Sequence, residues 1–194
     1  MEHRLEPVRL GRPVFVILLA AVIFQISVHR KIAAIFQSTS VYTEIKEYFP
    51  GQIISLMIAG IQVFPVLGAV VEVILGGFVL YFFAWFLQTR IRAVTYVYLY
   101  AVASLVLCMR TVINAAVNFA TFSSAEVYSM DHLNLAFRFL DPFVLLAAVI
   151  VYMKASQLLD LSKNGRLALA FLFLAVQYVK IGLGLITGGS YLTL

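Results

Sequence analysis

The sequence predicts an all-α membrane protein: a polytopic transmembrane helical bundle of about five spans, forming one integral membrane domain over residues 1–194. Three observations carry that expectation. Hydrophobic residues make up 63% of the chain and charged residues 12%, against roughly 45–50% and 25% in a soluble domain. The apolar residues gather in runs long enough to cross a bilayer, for which about 20 residues suffice. Residues 53–87 hold a single formal charge, Glu72, with Pro65, Gly68 and the pair Gly76-Gly77 as their punctuation.

A first span is expected over residues 13–28, preceded by Arg4, Arg9 and Arg12. Its basic start and apolar middle are those of a signal peptide. Its end, Gln25-Ile26-Ser27-Val28-His29-Arg30, has no small-x-small cleavage site, so the span is expected to be retained. Residues 30–51 form the longest polar interval. Within it Tyr42-Thr43-Glu44-Ile45-Lys46-Glu47-Tyr48-Phe49 suits a short amphipathic helix on the membrane surface, ended by Pro50-Gly51. The run 53–87 is too long for one upright helix and slightly short for two. Proline removes a backbone donor and pushes the preceding residue, Phe64, away from helical geometry. A break is therefore expected at Pro65, with 53–63 interfacial or re-entrant and 66–87 as the second span.

Gln88-Thr89-Arg90-Ile91-Arg92 is a basic turn into a third span over 93–119, where Tyr96, Tyr98 and Tyr100 read as an aromatic belt. A polar loop over 123–141 carries Glu126, Asp131, His132, Arg138 and Asp141, with 133–139 interfacial. Asp141 suits a helix N-cap with Pro142 at the first helical position, opening a fourth span over 142–159. Asn164-Gly165 marks a turn before a fifth span over 167–187, which runs into Gly188-Gly189.

Orientation follows from the basic residues that flank the spans. With the N-terminus inside, Arg4, Arg9, Arg12, Arg90, Arg92, Lys163 and Arg166 lie inside, and Arg30, Lys31, Lys46 and Arg138 outside. The balance favours a cytoplasmic N-terminus and an external C-terminus in a multi-pass membrane protein.

Several function classes are disfavoured. The net charge of +5 is dispersed between apolar runs, so no nucleic-acid partner is expected. Cys108 is the only cysteine, which excludes an intrachain disulfide, and its apolar setting reads as packing. The chain has no H-E-x-x-H, no G-x-S-x-G and no glycine-rich phosphate loop. His3, His29 and His132 fall at or outside the membrane edges, which disfavours an intramembrane haem or metal pair. No catalytic residue, metal or cofactor is assigned, and an enzyme is not expected.

Glu72, Arg110, Lys154 and Lys180 fall within spans, where each costs about 2.5–3.5 kcal/mol on insertion scales and needs a partner, water or a route to the interface. Lys154 lies near a helix end and reads as snorkelling. Glu72 and Arg110 stand nearly equal distances, roughly 28–29 Å along their helices, from the basic turn. An ion pair between the second and third spans is the expectation. Arg110, Asn114, Asn118 and Thr121 form one polar stripe on the third helix, which reads as interhelical glue or the wall of a wet cavity. Lys180, with Gln177, gives the fifth helix a polar side, and Gly182 and Gly184 allow close packing. Glu72, Arg110, Asn114, Asn118 and Lys180 are thus the candidate intramembrane polar site or structural ion-pair cluster.

Three stretches carry a family resemblance. The first is Tyr42-Thr43-Glu44-Ile45. The second runs from Ile74-Leu75-Gly76-Gly77-Phe78-Val79-Leu80-Tyr81 through the turn into Arg92-Ala93-Val94-Thr95-Tyr96-Val97-Tyr98-Leu99-Tyr100. The third is Leu140-Asp141-Pro142-Phe143-Val144-Leu145-Leu146, then Leu161-Ser162-Lys163 and a closing Gly182-Leu183-Gly184. In this order of features the chain resembles the bacterial branch of the Yip domain family of small polytopic membrane proteins. The resemblance implies a five-span bundle with a cytoplasmic N-terminus, in a prokaryotic cytoplasmic membrane. Eukaryotic members are linked to Rab GTPases and vesicle traffic. This chain departs from them in its short segment before the first span and in lacking their Asp-Leu-Tyr-Gly-Pro-type motif, so Rab GTPase binding is not carried over.

The first functional expectation is a non-enzymatic, Yip-like scaffold or accessory partner of membrane transport or trafficking machinery. It would act through the lipid bilayer and through other membrane proteins or self-association. The second is a small transporter or channel with a polar interior around Glu72 and Arg110. The third is a small structural subunit of a larger membrane complex.

Overall fold

The computed structural model describes residues 9–86, 92–121, 127–128 and 140–186, and among these every regular element is a helix. The helices are α1 (Gly11–Gln37), α2 (Ser40–Tyr48), α3 (Gly51–Phe86), α4 (Ala93–Ala120), α5 (Pro142–Leu158) and α6 (Lys163–Ile186). α1, α3, α4 and α6 are each long and apolar enough to cross a membrane, and α5 is a shorter apolar helix of 17 residues. The chain is a helical membrane protein.

α4 is the hub. α1, α3 and α5 pack directly on it, while α6 packs on α5 and α3. Tyr96, Leu99, Tyr100, Ala101 and Ala103 of α4 are fully buried. Small residues let the backbones approach: a Cβ on Gly76 would overlap the Tyr100 ring, and one on Gly77 would overlap the Val97 backbone. Such small-residue seams are how helices associate where lipid leaves no hydrophobic drive between them. α3 meets α4 at Gly77 and Val97, and again at Tyr81 and Tyr96, while further back Glu72 meets Tyr100. The two are therefore antiparallel. α1 runs parallel to α4, since Ile17 and Ser104 line one cavity while Lys31 meets Asn118 near the far ends of both helices. α1, α3 and α4 thus alternate in direction along the chain.

Four expectations are corrected by the fold. Asn164-Gly165, expected as a turn, lies inside the first turn of α6, which starts at Lys163; the chain turns at 159–162, and Ser162 Oγ accepts from the Gly165 N–H at 3.2 Å. α3 continues unbroken through Pro65, so 53–63 is neither a separate surface piece nor a re-entrant one. Proline removes one hydrogen bond, here to the carbonyl of Ile61. Breaking the helix in lipid would strand several backbone groups at several kcal/mol each, so continuity wins. At 36 residues α3 is roughly 54 Å long, well beyond a hydrocarbon core of about 30 Å. α1, likewise, does not stop near Val28 but runs to Gln37, which places Arg30 and Lys31 inside a helix and not in an outer loop. Tyr96 and Tyr100 are fully buried in the bundle and not at a membrane belt. They lie one turn apart on the face that packs inward, with Tyr98 between them on another face.

Other expectations match. The short helix expected over 42–49 forms as α2 and ends before Pro50, while Gly51 already opens α3. Its cap is Thr39, which the amphipathic pattern did not indicate and whose hydroxyl accepts from the Tyr42 N–H at 3.3 Å. Asp141 caps α5, its Oδ1 accepting from the Phe143 N–H at 2.8 Å, with Pro142 in the first turn. Cys108 is buried in the core. Arg4, the turn residues Gln88, Thr89, Arg90 and Ile91, the loop residues Glu126, Asp131, His132 and Arg138, the interfacial stretch 133–139, and Gly188-Gly189 lie outside the described residues.

Candidate functional site: two buried polar clusters

The expected pair of Glu72 and Arg110 does not form. Glu72 is level with Tyr100, whose hydroxyl donates to Glu72 Oε1 at 3.3 Å. Arg110 lies roughly 15 Å further along α4. Equal distances from the turn would bring Glu72 and Arg110 level only if α3 and α4 left it symmetrically. They are instead staggered along the seam at Gly76, Gly77 and Val97. Each charge has a different partner: Lys180 Nζ donates to Glu72 Oε1, tying α6 to α3, and Arg110 Nη1 donates to Asp141 Oδ2 at 2.8 Å, tying α4 to α5.

The first cluster is a converging set of donors on one carboxylate. Gln177 Nε2 donates to the Tyr100 hydroxyl at 2.8 Å, Tyr100 donates to Glu72, and Lys180 donates to the same oxygen. Bonds to an ionised acceptor are the strong ones, and a chain of them polarises along its length. Gly76 makes the set possible by leaving the slot in which the Tyr100 ring lies over α3. Phe173 closes the other side of that ring at a centroid distance of 5.3 Å. The pair is not sealed, since the Lys180 and Glu72 side chains keep 25% and 23% of their surface accessible. A cavity of about 30 Å3 adjoins Glu72, bounded by Ile17 of α1, Ala69 of α3 and Ser104, Cys108 and Thr111 of α4. That is room for one or two waters, since a water needs about 10–15 Å3 by this measure.

The second cluster is closed. Asn118 is fully buried, and its amide is saturated: Nδ2 donates to Asn114 O at 2.9 Å and to Tyr128 O at 2.7 Å, while Oδ1 accepts from Tyr128 N at 2.8 Å and from Lys31 Nζ at 3.1 Å. Tyr128 thereby has both backbone groups paired to one side chain. Lys31, only 3% exposed, also donates to Thr121 Oγ1 at 2.9 Å, tying α1 to the end of α4. Asp141 serves two purposes, capping α5 and pairing with Arg110. Asn114 is buried on the same stripe.

Of the expected cluster, Glu72 and Lys180 meet. Arg110, Asn114 and Asn118 belong to α4's other end, with Asp141 and Lys31 as partners that the charge pattern did not indicate. Lys31 was legible in one respect: Ile32-Ala33-Ala34-Ile35-Phe36 resumes the apolar run behind it, which signals that α1 continues. Lys154 bonds Gln157 at 2.9 Å in an exposed position near the end of α5, as a snorkelling side chain does. Among the described residues no three His, Cys, Asp or Glu side chains gather as a metal group would require. Comparison of the chain with family models, with curated proteins and with solved structures finds no match.

Proposed function

We propose that the chain is a non-enzymatic, multi-pass protein of a prokaryotic cytoplasmic membrane. In this reading it works as a scaffold or accessory partner of membrane transport or trafficking machinery, in the manner of the Yip-type proteins it resembles. Five crossings carry the N-terminus on the cytoplasmic side and the C-terminus outside. With Lys31 withdrawn into the bundle, the basic residues flanking the spans weigh further toward that orientation. The reading rests on one observation: the charged groups of the interior are engaged in bonds between helices, α3 to α6, α4 to α5 and α1 to α4. Charges used in this way hold a bundle together, and the outward apolar surface is left for lipid and neighbouring proteins. α3 supplies more of that surface than any other helix, with Leu56, Phe64, Leu75, Phe82, Trp85 and Phe86 each at least 60% exposed. It also serves the subunit reading, in which this chain is a permanent member of a larger complex.

The transporter reading is favoured by one feature, the small cavity with Ser104 and Thr111 beside Glu72. The doubly neutral variant Glu72→Gln/Lys180→Met separates the two. Purified in mild detergent after crosslinking in its own membrane, the folded variant is expected to keep the partners of the wild type. Proton or solute flux in proteoliposomes that disappears in this variant, with folding intact, would overturn the scaffold reading. A wild-type protein that purifies as a partner-free oligomer after crosslinking would contradict both accessory readings.

A further inference from the structure

A second cavity, of about 590 Å3, opens between the outer halves of α1 and α3. This is within the range of small-ligand sites, roughly 300–1,000 Å3. Its walls are apolar along most of their length, formed by Val22 and Ile26 of α1, Val63 and Val66 of α3 and Phe119 of α4. Ile26 is 61% and Val63 52% exposed, so the cleft opens sideways toward lipid and not into the bundle.

One end is different. His29 Nδ1 and Gln62 Oε1 lie 2.7 Å apart, joining α1 to α3 across the cleft. With His29 donating, the amide N–H groups of Gln62 remain as donors, and its Nε2 is buried with no hydrogen-bond partner. An orphaned buried donor costs about 1–3 kcal/mol and calls for an explanation such as a ligand. Arg30 lines the same end, and it neighbours Lys31, which bonds Thr121 at the C-terminal end of α4. The donor-rich end is therefore level with the end of a spanning helix, where lipid headgroups lie, and the apolar walls run inward from it.

An occupant must be amphipathic, carry negative charge and present acceptors without donors at its head. A phosphodiester with an acyl tail has those properties. We propose that this cleft holds one anionic phospholipid, its phosphate accepting from Gln62 Nε2 and Arg30 and one acyl chain lying between α1 and α3. A lipid held there would join the two helices at the end where the small-residue seam of α3 with α4 no longer reaches.

Native mass spectrometry of the full chain in mild detergent, with added dioleoyl phosphatidylglycerol or dioleoyl phosphatidylcholine, tests the proposal. Phosphatidylglycerol is expected to stay bound under activation that strips phosphatidylcholine. Arg30→Gln and Gln62→Leu are each expected to weaken its retention about tenfold, as for one charge-assisted bond. Equal retention of the two lipids, or of phosphatidylglycerol by wild type and both variants, would overturn the proposal. Inorganic phosphate alone is expected not to compete. If it displaces the lipid, the site is one for a free anion and the lipid assignment fails. A measurement needing no variant uses phosphatidylglycerol with a photoreactive acyl chain on the wild-type protein. Crosslinks are expected to concentrate at 22–30 and 59–66, and an even spread over the lipid-facing surface would contradict the proposal.

Discussion

The two polar clusters are built from the same kinds of residue and differ in closure. Around Asn118 every amide position is engaged and Lys31 is almost fully buried, while about two turns back along α4 Asp141 is shared between a helix cap and Arg110 in a pair less open than that of Glu72. Around Glu72 the donors converge as well, but the ion pair keeps about a quarter of its side-chain surface open and adjoins a cavity large enough for water. Closure raises the cost of any change, because each group removed leaves another stranded in a medium that offers no substitute. An open pair can be relieved by water or by movement toward the surface. The cluster at the C-terminal end of α4 is thus expected to hold the bundle, and the one at Glu72 to tolerate adjustment.

That contrast sets an order of effects. Asp141→Ala is expected to be the most damaging, since it strands Arg110 and removes the α5 cap: about 3–5 kcal/mol for the broken pair with about 1 kcal/mol for the cap, read from unfolding in detergent. Asn118→Leu should follow at about 2–3 kcal/mol, for the loss of its bond from Lys31 of α1 together with a Tyr128 backbone left unpaired. If it costs less than Lys180→Met, the contrast between closed and open clusters is wrong. Gly76→Ala is expected to cost about 1–3 kcal/mol by overpacking. It displaces the Tyr100 ring from Glu72, so loss of the Tyr100 hydrogen bond by hydroxyl NMR would accompany the drop. Lys180→Met should cost about 1–2 kcal/mol, less than a sealed pair because both partners are partly open. Lys154→Met, beside Gln157 in an exposed position, should change stability by less than about 0.5 kcal/mol.

Much of the fold was legible because it depends on composition along the chain. Apolar runs located α4 and α5 almost residue for residue, and the pair Asp141-Pro142 marked a helix start by local chemistry alone. The course of α3 was less legible, because proline acts in water through a local penalty while in lipid the whole backbone must stay paired. The pairing of charges was the least legible. Depth along a helix can be counted from a sequence, but stagger and azimuth are set by where helices touch, and here that depends on Gly76 and Gly77 meeting Tyr100 and Val97. Arg110 and Glu72 were correctly singled out as needing partners, and the partners came from α5 and α6, whose positions no count from the α3–α4 turn could supply.

The assignment of partners is tested most directly by two double-mutant cycles on unfolding free energy in detergent, one with Glu72→Gln and Lys180→Met, the other with Glu72→Gln and Arg110→Leu. The structure predicts a coupling of about 1 kcal/mol or more between Glu72 and Lys180, and additivity within about 0.5 kcal/mol between Glu72 and Arg110. The reverse pattern, with coupling to Arg110 and none to Lys180, would contradict the arrangement of α3, α4 and α6 described above.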